Sequence, residues 1–196
     1  EQDPERIVFV PAMGWQDYNY IKYARVAEED PNAVVSFHYY LPMLLSHYKM
    51  LAWVGYQGAV QYPGVVIPTQ SDADKYPQYA SFHKTTYNAD RIMGEMSNAA
   101  SDGRNAGLAV HCGEFGCSKN VAEAMRLAWF TDMVAAMEAN NIPWTLWECL
   151  DGGFGFVDME YGIYRINCPL LKVLTGKELT DAEAKALLQK YGFKTE

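Results

Sequence analysis

The chain has 196 residues, 49% of them hydrophobic, and its 24 acidic and 16 basic side chains give a net charge of −8. This size and apolar content suit one globular core, so we expect a single domain over residues 1–196. The acidic balance and the absence of a basic run argue against nucleic acid or an anionic membrane as a partner. No apolar run reaches the roughly 18 residues of a membrane-spanning helix.

In chain order, the first half of the sequence predicts a strand, a helix, a second strand and a long irregular stretch. Residues 6–10 (RIVFV) are a short β-rich run, and residues 17–29 carry apolar side chains at helical spacing. Residues 33–38 (AVVSFH) predict the second strand. The stretch 39–77 is rich in Pro, Gly and Tyr, so no regular element is expected there.

The second half continues the alternation of helices and strands. Residues 78–100 have helical spacing, and residues 107–112 (GLAVHC) predict a third strand. The strongest helix pattern covers residues 120–139, where Met and aromatic side chains form an apolar face typical of core packing. Ser118 or Asn120 is the expected N-cap of this helix.

A fourth strand is predicted over residues 142–148 (IPWTLWE), and a last helix over about 181–190, with a capping box formed by Thr180 and Glu183. Four strand–helix repeats predict a parallel sheet of the α/β class. Two architectures share this pattern: an open doubly wound sheet, and part of a (β/α)₈ barrel. A complete barrel takes about 250 residues, so four units correspond to half of one.

Two sequence motifs of doubly wound proteins are absent. The first strand is not followed by a glycine-rich GxGxxG loop, which argues against dinucleotide binding. No GxSxG segment is present, which argues against a hydrolase with a serine nucleophile elbow.

The four cysteines form no CxxC pair; they are Cys112, Cys117, Cys149 and Cys168. We therefore expect no structural zinc, and we predict buried free thiols, although the even number would also permit disulfides. His111 lies three residues before Glu114, a spacing that is not typical of metal ligands on a strand. No metal and no cofactor is predicted.

Polar and aromatic side chains stand at the carboxyl ends of the four predicted strands, where the sites of parallel sheets lie. They are Trp15, His38, Tyr39, Tyr40, Glu114, Trp147 and Glu148. Rings that stack and hydroxyls that hydrogen-bond suit a cleft for sugars, so this set indicates a glycan site.

Each of these residues also has a purely structural interpretation. Glu114 could be a turn residue whose carboxylate is held by backbone N–H groups. His38 could be a buried histidine with its hydrogen bonds satisfied, and Trp147 could belong to the core, since strand residues alternate between faces. Glu148 could be an acid that faces solvent or forms a salt bridge.

Six segments, in this order along the chain, match one enzyme family. They are DPERIVFVPAMGW, VVSFHYYLPMLLSHY, AWVGYQGAVQYPG, HCGEFG, RLAWFTDMV and IPWTLWECLDGGFGF, from about residue 3 to residue 157. The chain thus resembles the C-terminal half of a glycoside hydrolase family 5 cellulase, a retaining glycosidase with a (β/α)₈ barrel. The resemblance implies a (β/α)₄ half of a TIM barrel, corresponding to strands five to eight, and endo-hydrolysis of β-1,4-glucan.

The resemblance also implies catalytic roles. Glu114, in the E-F-G motif, corresponds to the nucleophile, and Tyr40 to the residue that hydrogen-bonds and orients it. His38 is expected to contact the sugar at the cleavage subsite, and Trp147 to form the stacking floor under that sugar. A carboxylate nucleophile must be charged, and hydrogen bonds from a tyrosine favour that state.

Further substrate contacts follow from the same comparison. His47 falls where the family usually has a His-Gln pair on a cleft loop, but Tyr48 stands in place of the Gln. Trp15 and Trp53 are expected platforms at flanking subsites. Glucan is not ranked above mannan or xylan, because half of the cleft is expected outside this chain.

The second carboxyl group of a retaining glycosidase has no counterpart in this chain, because the family's Asn-Glu-Pro motif is absent. Glu148 and Asp151 are the acidic residues nearest in sequence to the predicted rim. Three explanations are open. The chain is a fragment of a longer enzyme, or it is a non-catalytic glycan-binding remnant, or two copies form one eight-stranded barrel. In the last case each site pairs Glu114 of one copy with Glu148 of the other.

The expected partners are therefore a β-glucan substrate and a second copy of the chain. We expect a secreted or extracellular protein, as is usual for enzymes that act on polysaccharides. No signal peptide is recognisable, and a sequence without an initial Met is consistent with a cut or processed start.

Overall fold

The computed structural model describes residues 3, 5–24, 30–50, 55–150 and 152–196. The strands are β1 (Val8–Pro11), β2 (Ala33–Tyr39), β3 (Gly64–Val65), β4 (Thr86–Tyr87), β5 (Ala109–Phe115), β6 (Trp144–Leu146), β7 (Val157–Glu160) and β8 (Ile163–Ile166). The α-helices are α1 (Met13–Gln16), α2 (Met43–Ser46), α3 (Gln70–Lys75), α4 (Ala89–Asn105), α5 (Glu123–Ala139), α6 (Cys168–Thr175) and α7 (Asp181–Lys190). Two 3₁₀ helices cover Tyr18–Tyr23 and Pro77–Lys84.

The main sheet has four strands in the order β1-β2-β5-β6, and every neighbouring pair is parallel. The predicted parallel sheet of the α/β class is thereby confirmed. The spatial order follows the chain order, without the reversal at which a doubly wound sheet places its ligand. This consecutive order is the one found in (β/α) barrels.

One face of the main sheet is packed against helices α4 and α5. Phe37 of β2 and Cys112 and Phe115 of β5 are fully buried there. The helices contribute their own fully buried side chains, among them Ile92, Met96, Trp129, Phe130 and Met133. We call this the helix-covered face. The hydrophobic core lies between it and the two helices.

The opposite face of the sheet, here called the open face, is defined by Phe9, Val34, Ala109, His111 and Thr145. Its residues are incompletely buried, and Phe9 is 55% exposed. A depression of about 640 Å³ borders Phe9 and His111 and extends past the strands to Arg104 of α4. Parallel sheets are normally covered on both faces. Within the described residues, this sheet is covered on one face only.

The predicted helix over residues 17–29 is wrong for its described part. Residues Tyr18–Tyr23 form a 3₁₀ helix, which ends at Ala24. The Asp17 side chain accepts a hydrogen bond from the Asn19 backbone, which favours this tight turn. Residues 25–29 lie outside the described residues.

The helix predicted over residues 78–100 is divided in two. Pro77 begins a 3₁₀ helix, β4 then pairs with β3, and α4 begins after Asn88, whose side chain accepts from the Arg91 N–H. The β3–β4 pair and the Asn88 cap thus divide a stretch whose apolar spacing predicts one continuous helix. The stretch 39–77, expected to be irregular, contains α2, β3 and α3.

Elements in the second half lie close to their predicted positions. The third predicted strand is β5, which extends to Phe115, and the fourth is β6. Helix α5 begins at Glu123 with no side-chain cap, so the cap predicted from Ser118 or Asn120 is wrong. Ser118 is instead buried in the preceding turn. Helix α7 and its capping box are confirmed.

Three elements of the C-terminal region were not predicted. Strands β7 and β8 form an antiparallel hairpin, and α6 follows it. The strands have only four residues each, which is too short for a clear hydrophobic period. No helix in the described residues is long and apolar enough to cross a membrane.

All four cysteines are free thiols, as predicted. Cys112 and Cys117 are buried, but Cys149 is exposed and Cys168 is half-buried, so the predicted burial is wrong for these two. Burial raises the pKa of the Cys112 thiol, which makes it an unreactive part of the core beside Glu114.

Candidate active site

A bulge in β5 directs Glu114 to the open face. Phe37 pairs with Cys112, and His38 pairs with Glu114, so β5 contains one extra residue, Gly113. Without it, alternation would place Glu114 on the helix-covered face together with Cys112. A side chain at Gly113 would collide with Ser36 Oγ, and this close approach explains why a glycine stands before Glu114.

The second glycine of the HCGEFG segment has a similar cause. A side chain at Gly116 would collide with the Trp147 carbonyl oxygen and would crowd the ring of Phe154. The chain after Glu114 therefore passes directly beneath the loop that follows β6. The two glycines bring the ends of β2, β5 and β6 close together around one carboxylate.

Glu114 is held by two side chains from the end of β2. Tyr40 Oη donates a hydrogen bond of 2.9 Å to Glu114 Oε2, and His38 Nδ1 lies 3.4 Å from the same oxygen. The Glu114 side chain keeps 29% of its surface exposed, so a ligand can reach the carboxylate.

The protonation states of these neighbours follow from their burial. Burial raises the pKa of Tyr40, and the Glu114 carboxylate raises it further, so Tyr40 remains a hydrogen-bond donor. Burial lowers the pKa of His38, although Glu114 acts in the opposite direction. His38 is therefore neutral near neutral pH, and its contact with Glu114 is polar rather than ionic.

His47 forms a wall beside Tyr40. Its ring packs on Tyr40 with centroids 4.9 Å apart and on Phe154 at 5.2 Å, and burial lowers the pKa of the imidazole. Ser46 Oγ donates to the Tyr40 carbonyl and lies 3.0 Å from His47 Nδ1. Because the only hydroxyl proton of Ser46 is used, His47 Nδ1 must be the donor, which assigns Nε2 as an acceptor.

A groove of about 630 Å³ adjoins this cluster. It is lined by Gly14, Trp15, Asp17, Tyr18, His38, Tyr40, Leu41, Met43 and His47. Trp15 is 97% exposed and has a left-handed backbone with φ of 57°. An exposed indole at the edge of a groove offers a flat stacking surface.

Trp147 and Glu148 follow β6 and are joined by a cis peptide bond. The Trp147 N–H donates to the Phe115 carbonyl, which places this residue next to the end of β5, and its side chain is half-exposed. The Glu148 carboxylate packs on Gly152 of its own loop. Its Oε1 is buried with no hydrogen-bond partner in the described residues.

Four of the predicted site residues thus form one cluster, and the others surround it or lie apart. Glu114, Tyr40, His38 and His47 are in contact, and Trp15 borders the same groove. Trp53 lies outside the described residues. The Tyr48 hydroxyl donates to the Gly58 carbonyl.

Sequence reasoning missed the residues that support the cluster. Phe154 packs on both Tyr40 and His47, and Ser46 links His47 to the backbone of Tyr40. Phe154 lies in the segment IPWTLWECLDGGFGF, whose resemblance to the family implies no role for this ring. Nothing in the sequence indicated Ser46.

Residues 1–153 match the family model described as cellulase, glycosyl hydrolase family 5. Endoglucanase C of Acetivibrio thermocellus is 22% identical over 143 residues, which cover 69% of this chain and 39% of the relative. Endoglucanase H of the same organism is 25% identical over 162 residues, or 83% of this chain and 14% of the relative.

Solved structures share the fold. A hyperthermophilic endo-β-1,4-glucanase in complex with substrate has a TM-score of 0.66 at 22% identity, covering 89% of this chain and 49% of that chain. Thermotoga maritima Cel5A in complex with mannotriose has a TM-score of 0.63 at 18% identity, covering 88% and 49%. The chain therefore spans about half the length of these structures. The match to the family model covers well over half of the chain, which belongs to the cellulases of glycosyl hydrolase family 5.

Proposed function

We propose that this chain is the nucleophile-bearing half of a (β/α)₈ barrel that hydrolyses β-1,4-glucan internally, with retention of anomeric configuration. The observation that carries the proposal is the hydrogen bond from Tyr40 to Glu114 at the carboxyl edge of the parallel sheet. The named endoglucanase relatives support β-glucan as the substrate class. A polymeric substrate of this kind favours action outside the cell.

In the proposed reaction Glu114 Oε1 or Oε2 attacks the anomeric carbon, and a covalent glycosyl ester forms as the leaving oxygen takes a proton. Water then cleaves the ester. Tyr40 orients the attacking carboxylate by donating a hydrogen bond to Glu114 Oε2. His47 Nε2, assigned above as an acceptor, would accept a hydrogen bond from a sugar hydroxyl, and Trp147 offers its half-exposed ring as the floor of the cleavage subsite.

The open face supports the half-barrel part of the proposal. Phe9 and Ile7 are more than half exposed, and the outer strands β1 and β6 each have one edge with no strand beside it in the described sheet. His111 Nδ1 is buried with no hydrogen-bond partner in the described residues. Open edges and an apolar face favour association, and we propose that a second copy completes the barrel.

The second carboxyl group has to lie about 5–5.5 Å from the first in a retaining enzyme. We propose Glu148 of the second copy, because β6 of that copy would lie beside β1, where a barrel has its fourth strand. In the single chain Glu148 packs on Gly152, so the side chain must turn out of its own loop for this role.

An assay for new reducing ends on soluble cellulose derivatives tests the hydrolysis. The wild-type chain should release reducing ends, and Glu114→Gln should not. If the chain binds the polymer but releases no reducing ends, it is a glycan-binding protein and the proposed hydrolysis is wrong.

Complementation tests the source of the acid. Glu114→Gln and Glu148→Gln should each be inactive alone, and a mixture should recover part of the activity, since some mixed pairs keep one intact site. Sedimentation should give a dimer. A monomer that is active by itself would contradict the paired site.

A further inference from the structure

Arg126 of α5 is the one charged side chain among the described residues that the fold buries almost completely, with 2% of its surface exposed. Its Nε donates to the Cys117 carbonyl at 2.9 Å, and its Nη2 donates to the carbonyls of Phe154 at 2.5 Å and Gly155 at 2.8 Å. In the described part of the chain, no carboxylate lies within ion-pair distance of it. The Phe130 ring lies 5.4 Å from the guanidinium, and Glu123 and Asp158 act on it only from beyond ion-pair distance. Burying a cation without a salt bridge is costly, so this arrangement needs a reason.

The first loop held by Arg126 directly follows the strand that carries Glu114. Its residue Ser118 is fully buried and donates its N–H to the Ser46 carbonyl at 2.8 Å and its hydroxyl to the Tyr48 carbonyl at 3.0 Å. These bonds fix the backbone on both sides of His47. The loop therefore connects Arg126 to the wall of the candidate site.

The second loop held by Arg126 carries Phe154. The Phe154 ring packs on His47 at 5.2 Å and on Tyr40 at 5.9 Å. The N–H of Lys119 in the first loop donates to the Gly153 carbonyl at 2.8 Å, which ties the two loops directly to each other. Arg126 lies behind this junction and bonds to both sides of it.

We propose that Arg126 is a positioning residue of the site: its guanidinium fixes the two loops relative to each other and thereby holds His47 and Phe154 against Tyr40, the partner of Glu114. This role rests on the proposed hydrolytic function. Arginine suits it because its planar guanidinium donates in several fixed directions at once. A lysine keeps the charge but presents a single ammonium group, which does not reproduce the bonds to both loops.

The test compares Arg126→Lys and Arg126→Met with Met133→Ala. Met133 lies in the same helix and is fully buried on the helix-covered face, so its truncation destabilises the core while the Arg126 guanidinium and its loop partners are left in place. Two quantities are measured on the assembled protein: hydrogen exchange of the Ser118 and Lys119 amides, with Ile92 of α4 as reference, and kcat and KM on a soluble β-glucan.

Arg126→Met should speed exchange at Ser118 and Lys119 by about 10-fold or more relative to Ile92, and lower kcat by about 10- to 100-fold with a smaller change in KM, because the reacting groups are misplaced. Arg126→Lys should fold and show the same pattern more weakly. Met133→Ala should speed exchange without singling out the two loop amides, and its kcat should stay within about 3-fold of wild type at a temperature where it is folded.

The role is overturned if the Arg126 variants raise exchange equally at all three amides, or if Met133→Ala lowers kcat as much as they do. If the wild-type chain releases no reducing ends, the hydrogen-exchange rates of the three amides still test whether Arg126 positions the loops. In that case the proposed hydrolysis fails, whereas the loop-positioning role stands or falls on the amide pattern.

Discussion

The two faces of the main sheet have opposite surroundings, although the same strands build both. On the helix-covered face, Phe37 and Phe115 are fully buried, whereas Phe9 on the open face is 55% exposed. The carboxylate of Glu114 stands on the open face only because of the bulge at Gly113. Among the described residues, helices thus cover the face that holds the core, and nothing covers the face that carries the candidate site.

This difference separates folding from function. Helices α4 and α5 provide the burial that stabilises the strands, so the contacts among Tyr40, His38 and Glu114 form within one chain. A substrate groove with two sides and a second carboxyl group would need the open face to be covered. Substitutions on the two faces should therefore affect different measurements.

The largest effect is expected from Glu114→Gln on the open face. Removing the proposed nucleophile should lower kcat by at least about 1,000-fold, as losses of a covalent nucleophile do. The substitution is nearly isosteric, so urea unfolding should change by less than about 0.5 kcal/mol. Activity within tenfold of wild type would remove Glu114 as the nucleophile.

The second prediction compares the two faces directly through Phe130→Ala and Phe9→Ala. Phe130 is fully buried on the helix-covered side, and its truncation should cost about 3–5 kcal/mol in urea unfolding of the monomer. Phe9→Ala should cost less than about 1 kcal/mol, because more than half of that side chain is already exposed.

Phe9→Ala should instead weaken self-association in sedimentation experiments. An equally large loss of monomer stability for both variants would mean that the open face is packed within one chain.

The third prediction compares two neighbouring tyrosines, Tyr39 at the end of β2 and Tyr40 directly after it. Tyr40 bonds Glu114, whereas Tyr39 points to the other face, where its hydroxyl donates to Glu95. Tyr40→Phe should lower kcat by about 100-fold, the order found when one pre-organised hydrogen-bond donor is removed from an active site. Tyr39→Phe should cost about 1–2 kcal/mol of stability and leave kcat nearly unchanged.

The smallest effect concerns pH and the wall of the site. Burial lowers the pKa of His47 below its ordinary value of about 6.5. The His47 imidazole therefore binds a proton more readily in the unfolded chain than in the folded one. Its contribution to the free energy of unfolding is fully present above about pH 6.5 and is lost as the pH falls through the lowered pKa. His47→Asn should flatten this loss in urea unfolding between pH 7 and pH 5; an unchanged slope would mean that His47 is not responsible.

Much of the site could be predicted because its residues lie at the carboxyl ends of strands with clear apolar patterns. His38, Tyr40 and Glu114 were found in this way and meet in the structure. The boundaries of the helix at 78–100 could not be predicted, since the Asn88 cap and a strand pair of two residues override the apolar period.

Arg126 could not be predicted for a different reason. An arginine within an amphipathic helix is normally solvent-exposed, and its burial depends on two loops that are distant from it in sequence. The turn of the Glu148 carboxylate toward Gly152 likewise depends on the path of a loop, which no sequence period describes.

The bulge at Gly113 also has a consequence for protein engineering. It directs Glu114 to the open face through the pairing of β5 with β2, and the Tyr40 bond that holds the carboxylate also lies within the chain. A chain that is half of a barrel, as proposed, can be joined to foreign half barrels, each with its own proton donor and its own half of the cleft. In such chimeras Glu114, the proposed nucleophile, would keep its orientation, and substrate preference would depend on the added half.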